Sequence, residues 1–162
     1  MSAPASAEPA VSTVRALPVP DSTSDPYWQA AREGRLLIQR CTACGTFFSY
    51  ARPFCPVCWS EQVTWVHASG AATLYTWSVV HVNDLPAFKD LVPYVAAIVD
   101  LAEGPRMASM IVDCPHDQLR IGMPLTVGFF AASDEISLPA FRPAALPWRG
   151  WRSSAAAARR QD

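Results

Sequence analysis

Four cysteines stand in two pairs, Cys41-Thr42-Ala43-Cys44 and Cys55-Pro56-Val57-Cys58, with the ten residues Gly45 to Phe54 between them. Two C-x-x-C knuckles at this separation bring four thiolates to the corners of a tetrahedron around one metal ion. Zn²⁺ accepts an S₄ cage without a geometric demand of its own. Iron competes for the same four sulfurs, and Cys-Pro-Val-Cys has a rubredoxin-like look. Gly45 follows the first pair, where the backbone must fold back so that its N–H groups face sulfur, and Pro56 stiffens the second pair. Four thiolates close the coordination sphere and leave no position for a substrate water. The spacing therefore predicts a structural metal, not a catalytic one. Two disulfides would need an oxidising compartment. The first 24 residues, rich in Ala, Ser and Pro, have neither the basic nor the apolar region of a signal peptide.

Other side chains with chemical potential are few. Cys114, the fifth cysteine, reads as a half-buried structural thiol at a strand end in preference to a nucleophile. The histidines are His67, His81 and His116. Four cysteines already satisfy a metal, so none is needed as a ligand. His81 is the histidine placed to act as a proton donor, although a strand-end histidine bonded to backbone is the commoner case. Asp84, Asp90, Asp100, Glu103, Asp113 and Asp117 fall mostly at strand ends and turns, where carboxylates bond backbone, and they form no evident pair. There is no Gly-rich phosphate loop, G-x-S-x-G or nucleotide fingerprint. Tyr75, Trp77, Tyr94, Phe129 and Phe130 have faces that can stack an adenine ring, but the strand period assigns most of them to a core. Arg142, Arg149, Arg152, Arg159 and Arg160 make the C-terminal stretch basic: a solvated tail, or a clasp for phosphates or an acidic partner.

A chain of 162 residues has room for one domain and a small appendage, and 51% hydrophobic residues supply a real core. The net charge of −1 points to no class of partner, and Lys89 is the sole lysine. A lysine-poor surface argues against general nucleic-acid binding. No apolar run approaches the length of a membrane span, so the expectation is a cytoplasmic protein. Many of the fifteen prolines fall before residue 27 or between Pro139 and Pro147, which reads as tails.

The elements that must hold the cysteines follow from spacing. Residues 1–24 read as a disordered tail. A helix is expected from Asp25, as N-cap with Pro26 at the first helical position, to Gly34. Residues 35–40 read as a strand leading into the first knuckle, so that 25–60 forms a helix plus a metal ribbon. Phe47, Phe48, Tyr50, Phe54 and Trp59 are expected to cover the site and pack the ribbon on the next domain, since so small a ribbon buries too little area alone. After Ser60 five short strands are expected over 62–69, 73–82, 93–101, 106–112 and 124–130, with Val63, Trp65 and His67 sharing one face and Tyr75, Trp77, Val79 and His81 another. Gly70 turns the chain between the first two, and 102–105 forms a hairpin turn. Five strands over about 70 residues predict a small closed barrel over 61–137, best fitted by an OB-fold. The usual OB helix between the third and fourth strands has no room; 85–91 and 116–119 are the helical candidates. Residues 138–162 are assigned to a Pro- and Arg-rich tail.

The ordered combination has a recognisable look. Tyr27-Trp28-Gln29-Ala30 and the run Gly34 to Cys41 precede the knuckles. Then come Ser69-Gly70, Leu74 to His81, Pro93-Tyr94-Val95-Ala96, Leu101 to Gly104 and Ile121-Gly122-Met123-Pro124. Over residues 25–143 this resembles the zinc-ribbon/OB-fold proteins catalogued as domain of unknown function 35. The resemblance implies a mostly β protein that binds acyl-CoA and serves as a non-catalytic accessory partner of a thiolase-superfamily enzyme. That enzyme would perform acyl transfer, condensation, or retro-aldol cleavage of CoA thioesters such as those of steroid side chains. The partner would supply nucleophile and bases, while the OB domain helps to form the CoA surface and the ribbon docks. Cys41, Cys44, Cys55 and Cys58 would hold Zn²⁺. Arg106 and Arg142 are candidates for the CoA phosphates, because guanidinium matches phosphate geometry. Trp59, Phe88, Phe141, Trp148 and Trp151 are candidate partner contacts. Two other classes compete: a nucleic-acid-binding ribbon/OB protein, and a free-standing enzyme using His81 or Cys114.

Overall fold

The computed structural model describes residues 16–145. The chain enters through a turn in which the Asp21 carboxylate accepts from the backbone N–H groups of Thr23 and Ser24. Helix α1, Asp25–Arg32, follows, with Ser24 rather than Asp25 at the cap position and a proline in its first turn. Asp25 is helical, and its carboxylate accepts from the Gln29 amide one turn on. Ala30 and Ala31 are the buried residues of the helix. Gly34, at φ 76°, takes the left-handed turn that sends the chain into a strand.

Strand β1, Leu37–Cys41, is the centre of a three-stranded antiparallel sheet between β2, Phe47–Phe48, and β3, Val63–His67. The barrel strands are β4 (Ala71–Val80), β5 (Tyr94–Leu101), β6 (Arg106–Ile111), β7 (Pro124–Ala131) and β8 (Ser137–Pro143). They close in the order β4-β5-β6-β8-β7, and β7 returns to β4 through Ala72 opposite Leu125. Only β6 and β8 run parallel, joined at Ile111 and Phe141. This is the five-stranded OB-type barrel that the strand count implied. Its connections carry 3₁₀ turns at Pro86–Leu91 and at His116–Gln118, at the two helical candidates, and the latter lies between β6 and β7, the third and fourth strands of the barrel in chain order.

Two strand assignments differ from expectation. The first expected barrel strand belongs to the ribbon, because β3 pairs residue by residue with β1, from Leu37 opposite His67 to Cys41 opposite Val63. The fifth barrel strand is β8, so the barrel runs to Pro143 and the stretch from 138 to 143 is wall, not tail. Pro139 and Pro143 made it look unfit for a sheet. Both share the parity of Phe141, whose carbonyl accepts from Val112 on the β6 side. The missing proline donors therefore face the edge where pairing is sparse, which a proline tolerates.

A third difference concerns β4. The pairing with β5 slips between Leu74 and Thr76, which marks a bulge. A bulge adds one residue and reverses the in/out phase beyond it. Ala72 and Leu74 point into the core before it, and Trp77 and Val79 pack on the core after it. Tyr75 is left exposed, and so does not share a face with Trp77 and Val79. In β3 a similar split occurs: Val63 packs by the cysteines and Val66 on the barrel core, while His67 is exposed beside Arg35.

One core serves both halves. Leu36 and Ile38 from the ribbon join Leu74, Val99, Leu125 and Phe141 of the barrel in a single buried cluster. Gly70 is the pivot between β3 and β4. It sits at φ 77°, its carbonyl accepts from Val127 N–H at 2.8 Å, and a Cβ there would meet Val127 Cγ1 at 2.6 Å. Gly70→Ala combines a left-handed penalty with a clash against the barrel wall. A loss of about 2–4 kcal/mol is expected, read as a lower midpoint of chemical unfolding. An unchanged midpoint would mean that the wall yields at no cost.

Candidate metal centre and the seam beside it

The ribbon builds its cysteine cage from two copies of one backbone device. Cys41 N–H bonds Thr46 O at 2.9 Å and its carbonyl accepts from Gly45 N–H at 2.9 Å. Cys55 N–H bonds Ser60 O at 2.9 Å and its carbonyl accepts from Trp59 N–H at 3.0 Å. Each knuckle then needs a left-handed residue straight after its second cysteine. Gly45 fills one at φ 80° and Trp59 fills the other at φ 61°. A tryptophan there costs on the order of 1–3 kcal/mol of backbone strain. Its ring is 71% exposed and stacks on Phe54 at 5.4 Å and 23°. Position 59 carries the same knuckle requirement as Gly45, and that was the sequence signal for this strain.

The four sulfurs lie within 4.8 Å of one another, and the Cys41–Cys58 and Cys44–Cys55 pairs are each at 3.6 Å. A tetrahedron of Zn–S bonds of about 2.3 Å has S···S edges of about 3.8 Å. The cage thus fits one tetrahedral metal, with Cys41 and Cys55 buried and Cys44 and Cys58 exposed. The Thr46 hydroxyl, 3.2 Å from Cys44 Sγ, and the Thr46 backbone hold that thiol down to about 6. Val57 N–H approaches Cys55 Sγ at 3.4 Å. Phe48 is buried against Cys41 and Cys55, and Val63 packs beside them. All four sequence-predicted ligands converge.

The other candidates do not. His81 is exposed just past β4, and Cys114 packs on the barrel core with its Sγ 3.5 Å from Pro115 O. Burial pushes the Cys114 thiol up, away from the thiolate a nucleophile needs. Among the described residues no hydroxyl or thiol is hydrogen-bonded to a histidine. Arg106 opens β6, its Nε donating to Asp100 at 2.8 Å and its guanidinium lying 3.5 Å over the Tyr75 ring. Arg142 lies beside Phe141 near the end of β8, with Nε and Nη1 buried. Ile111 stands opposite Phe141, so Arg142 is level with residue 112 and six strand residues, roughly 20 Å, separate it from Arg106 along the parallel pair; no single phosphate reaches both. Of the candidate partner contacts, Trp59 is exposed but Phe141 is fully buried in the core, where it cannot meet a partner. Phe88 is half-buried with its ring 6.3 Å from that of Tyr94, and Trp148 and Trp151 lie outside the described residues.

Phe47 and Tyr50 pack the ribbon on the barrel as expected, but composition and spacing did not reveal the hollows along that seam. The ribbon loop after β2 crosses to the barrel, where Ser49 Oγ donates to Arg106 O at 2.6 Å and Tyr50 Oη accepts from Ala108 N–H at 3.2 Å. Gln39, buried in β1, clamps the same loop: its amide bonds Arg52 N–H at 2.7 Å and Arg52 O at 3.0 Å. On one side of the loop lies an apolar cavity of about 320 Å³, walled by Tyr27, Trp28, Met107, Met110, Phe130 and Leu138 among others. On the other lies a groove of about 220 Å³ carrying Arg52 and Arg106.

With this geometry, family models match two adjoining stretches. Residues 28–64 match the rubredoxin-like zinc ribbon domain of ChsH2, and residues 65–130 match its C-terminal OB-fold domain. A DUF35 domain-containing scaffold protein of Methanocaldococcus jannaschii is 38% identical over 104 residues, which are 63% of this chain and 73% of that protein. The chain belongs to the DUF35 family. A solved DUF35 chain, from the Ltp2-ChsH2(DUF35) aldolase, is 38% identical; the match covers 80% of this chain and 100% of that one, with a TM-score of 0.71. A probable enoyl-CoA hydratase alpha subunit of Thermomonospora curvata is 41% identical over 118 residues, 73% of this chain. The DUF35 chain described here spans 36% of that relative's length. Among the described residues no helix is long and apolar enough to cross a membrane.

Proposed function

We infer that this DUF35 protein is the non-catalytic scaffold subunit of a hetero-oligomeric enzyme whose thiolase-fold partner acts on a CoA thioester. The observation that carries this reading is the match of 80% of this chain to the whole DUF35 chain of the Ltp2-ChsH2(DUF35) aldolase. The site chemistry agrees with it. The cysteine cage has no open ligand position, and the described histidines have no nucleophile to activate. Zn²⁺ is the proposed metal. Cys41, Cys44, Cys55 and Cys58 would hold it, and it would supply a rigid cross-link between two knuckles. Zinc leaves the protein colourless because its d shell is full, whereas iron in four thiolates absorbs visible light.

The test is joint expression with a candidate thiolase-fold partner. One gel-filtration peak holding both chains is expected, with CoA-thioester cleavage or condensation in the complex and none in this chain alone. Two separate peaks sink the scaffold reading. Turnover by the isolated chain that His81→Ala or Cys114→Ala abolishes would instead show that it has an active site of its own.

A further inference from the structure

We propose that the apolar cavity at the seam is closed by the chain's own residues 146–151, with the Trp151 ring inside it. The cavity narrows the choice of occupant. No charged side chain lines it, and its walls include Tyr27, Met107, Met110, Phe130 and Leu138. Ser49 Oγ gives its hydrogen to Arg106 O, and Ser109 Oγ gives its hydrogen to Pro139 O. Both hydroxyls keep lone pairs, so they accept a further bond but have no hydrogen left to donate. A carboxylate or phosphate there would lose its hydration without gaining a counter-charge. An indole suits the cavity, as a large apolar body with one N–H donor and no acceptor. The two methionine thioethers are favourable neighbours for its edge.

The segment begins within reach. β8 gives Leu138 and Pro139 to the cavity wall and runs away from it to Pro143. Ala144 N–H then bonds Pro124 O at 3.1 Å, and Ala144 and Ala145 form a turn. Six residues of chain lead from Pro139 to Ala145, roughly 20 Å of strand. Six more lead to Trp151, so a return of equal length sets its ring back at the level of Pro139. The spacing of the segment favours an extended return. In Leu146-Pro147-Trp148-Arg149-Gly150-Trp151-Arg152 like residues recur every three positions. Three residues make one turn of polyproline II, and six of them span about 19 Å. Trp148 and Trp151 then share one face, Arg149 and Arg152 a second, and Pro147 and Gly150 the third. The tryptophans lie on the barrel while the guanidinium groups stay in water. Ser49 and Tyr50 are fixed to β6 before the segment arrives, so the ordering cost falls on the segment alone.

Trypsin cleavage of the full chain after Arg149 and Arg152, timed by mass spectrometry, tests the docking. Each rate is divided by that of the matching synthetic peptide, which removes the protease's own preference. Cleavage tracks the fraction of time that the segment is free. In the wild-type chain it should be at least about tenfold slower than in Trp151→Ser. Ala108→Trp fills the cavity from an exposed lining position with the segment unaltered, and should free the same two sites. Leu138→Lys, which puts a charge on the half-buried lining, should act alike and serves if the first cavity variant does not fold. Far-ultraviolet circular dichroism and metal content show which variants are folded. Wild-type cleavage as fast as that of the peptide overturns the proposal. Protection that Trp151→Ser removes but the folded cavity variants keep places the ring elsewhere and also overturns it. Protection that fades on dilution gives the segment to a second copy of the chain and overturns closure from within.

Discussion

Cys41→Ser is expected to empty the metal site and unfold the ribbon. Cys41 is fully buried at the end of β1, and both its backbone groups are committed to the first knuckle. A hydroxyl is a far poorer ligand than a thiolate for a soft cage. Metal binding in isolated zinc-finger peptides is worth about 10–16 kcal/mol, while whole domains are stable by only about 5–15 kcal/mol. The ribbon's other contributions are small: a short three-stranded sheet and the few buried side chains around Cys41 and Cys55. The damage should spread, because Leu36 and Ile38 are part of the barrel's own core. Elemental analysis should fall from about one metal per chain to near none, with a lower and broader thermal transition. Cys58→Ser should act in the same direction, and Cys114→Ser should leave the metal in place. A wild-type protein that is well folded without metal would refute the staple.

Phe141→Ala should be the most damaging single change in the barrel. Phe141 is 0% exposed and stands where β8 meets both neighbours, opposite Val127 on β7 and Ile111 on β6. Truncating a buried phenylalanine costs about 3–5 kcal/mol, through lost burial and the cavity left behind. The β6–β8 junction rests on few hydrogen bonds, so the side chain carries much of the closure there. Urea unfolding followed by barrel tryptophan fluorescence should show an unfolding free energy lower by that amount, with the metal still bound. A loss under about 1 kcal/mol would mean that the barrel closes without this residue. The same measurement separates core from interface: if Phe141 were a partner contact, its truncation would spare the isolated chain.

The metal cage was legible because a knuckle is local. Two residues between cysteines, a glycine after one pair and ten residues between the pairs determine where four sulfurs go, with no need of the barrel. The helix after Ser24 and the four barrel strands β4 to β7 were legible for the same reason, since helical spacing, strand alternation and turns act over a few residues; the count of five held because β3 stood in for β8. The positive φ at Trp59 was harder to see, because an aromatic residue stands where the paired knuckle has Gly45.

Strand partnership belonged to the tertiary structure. Val63 to His67 alternates well enough for either sheet, and only the register with β1, set by the cage it helps to cover, draws it into the ribbon. Ser137 to Pro143 reads as tail until β6 and β7 leave a gap whose sparse β6 edge accepts prolines. The bulge at Tyr75 is a mismatch of strand lengths between β4 and β5, which neither strand contains alone. The seam is the furthest from sequence. Its walls come from α1, the loop after β2, and strands β6, β7 and β8. Local spacing determined the cage and the kinds of element in this chain. Long-range pairing and shared burial decided which strands close the barrel, where Phe141 goes, and that an apolar hollow meets two arginines where ribbon and barrel join.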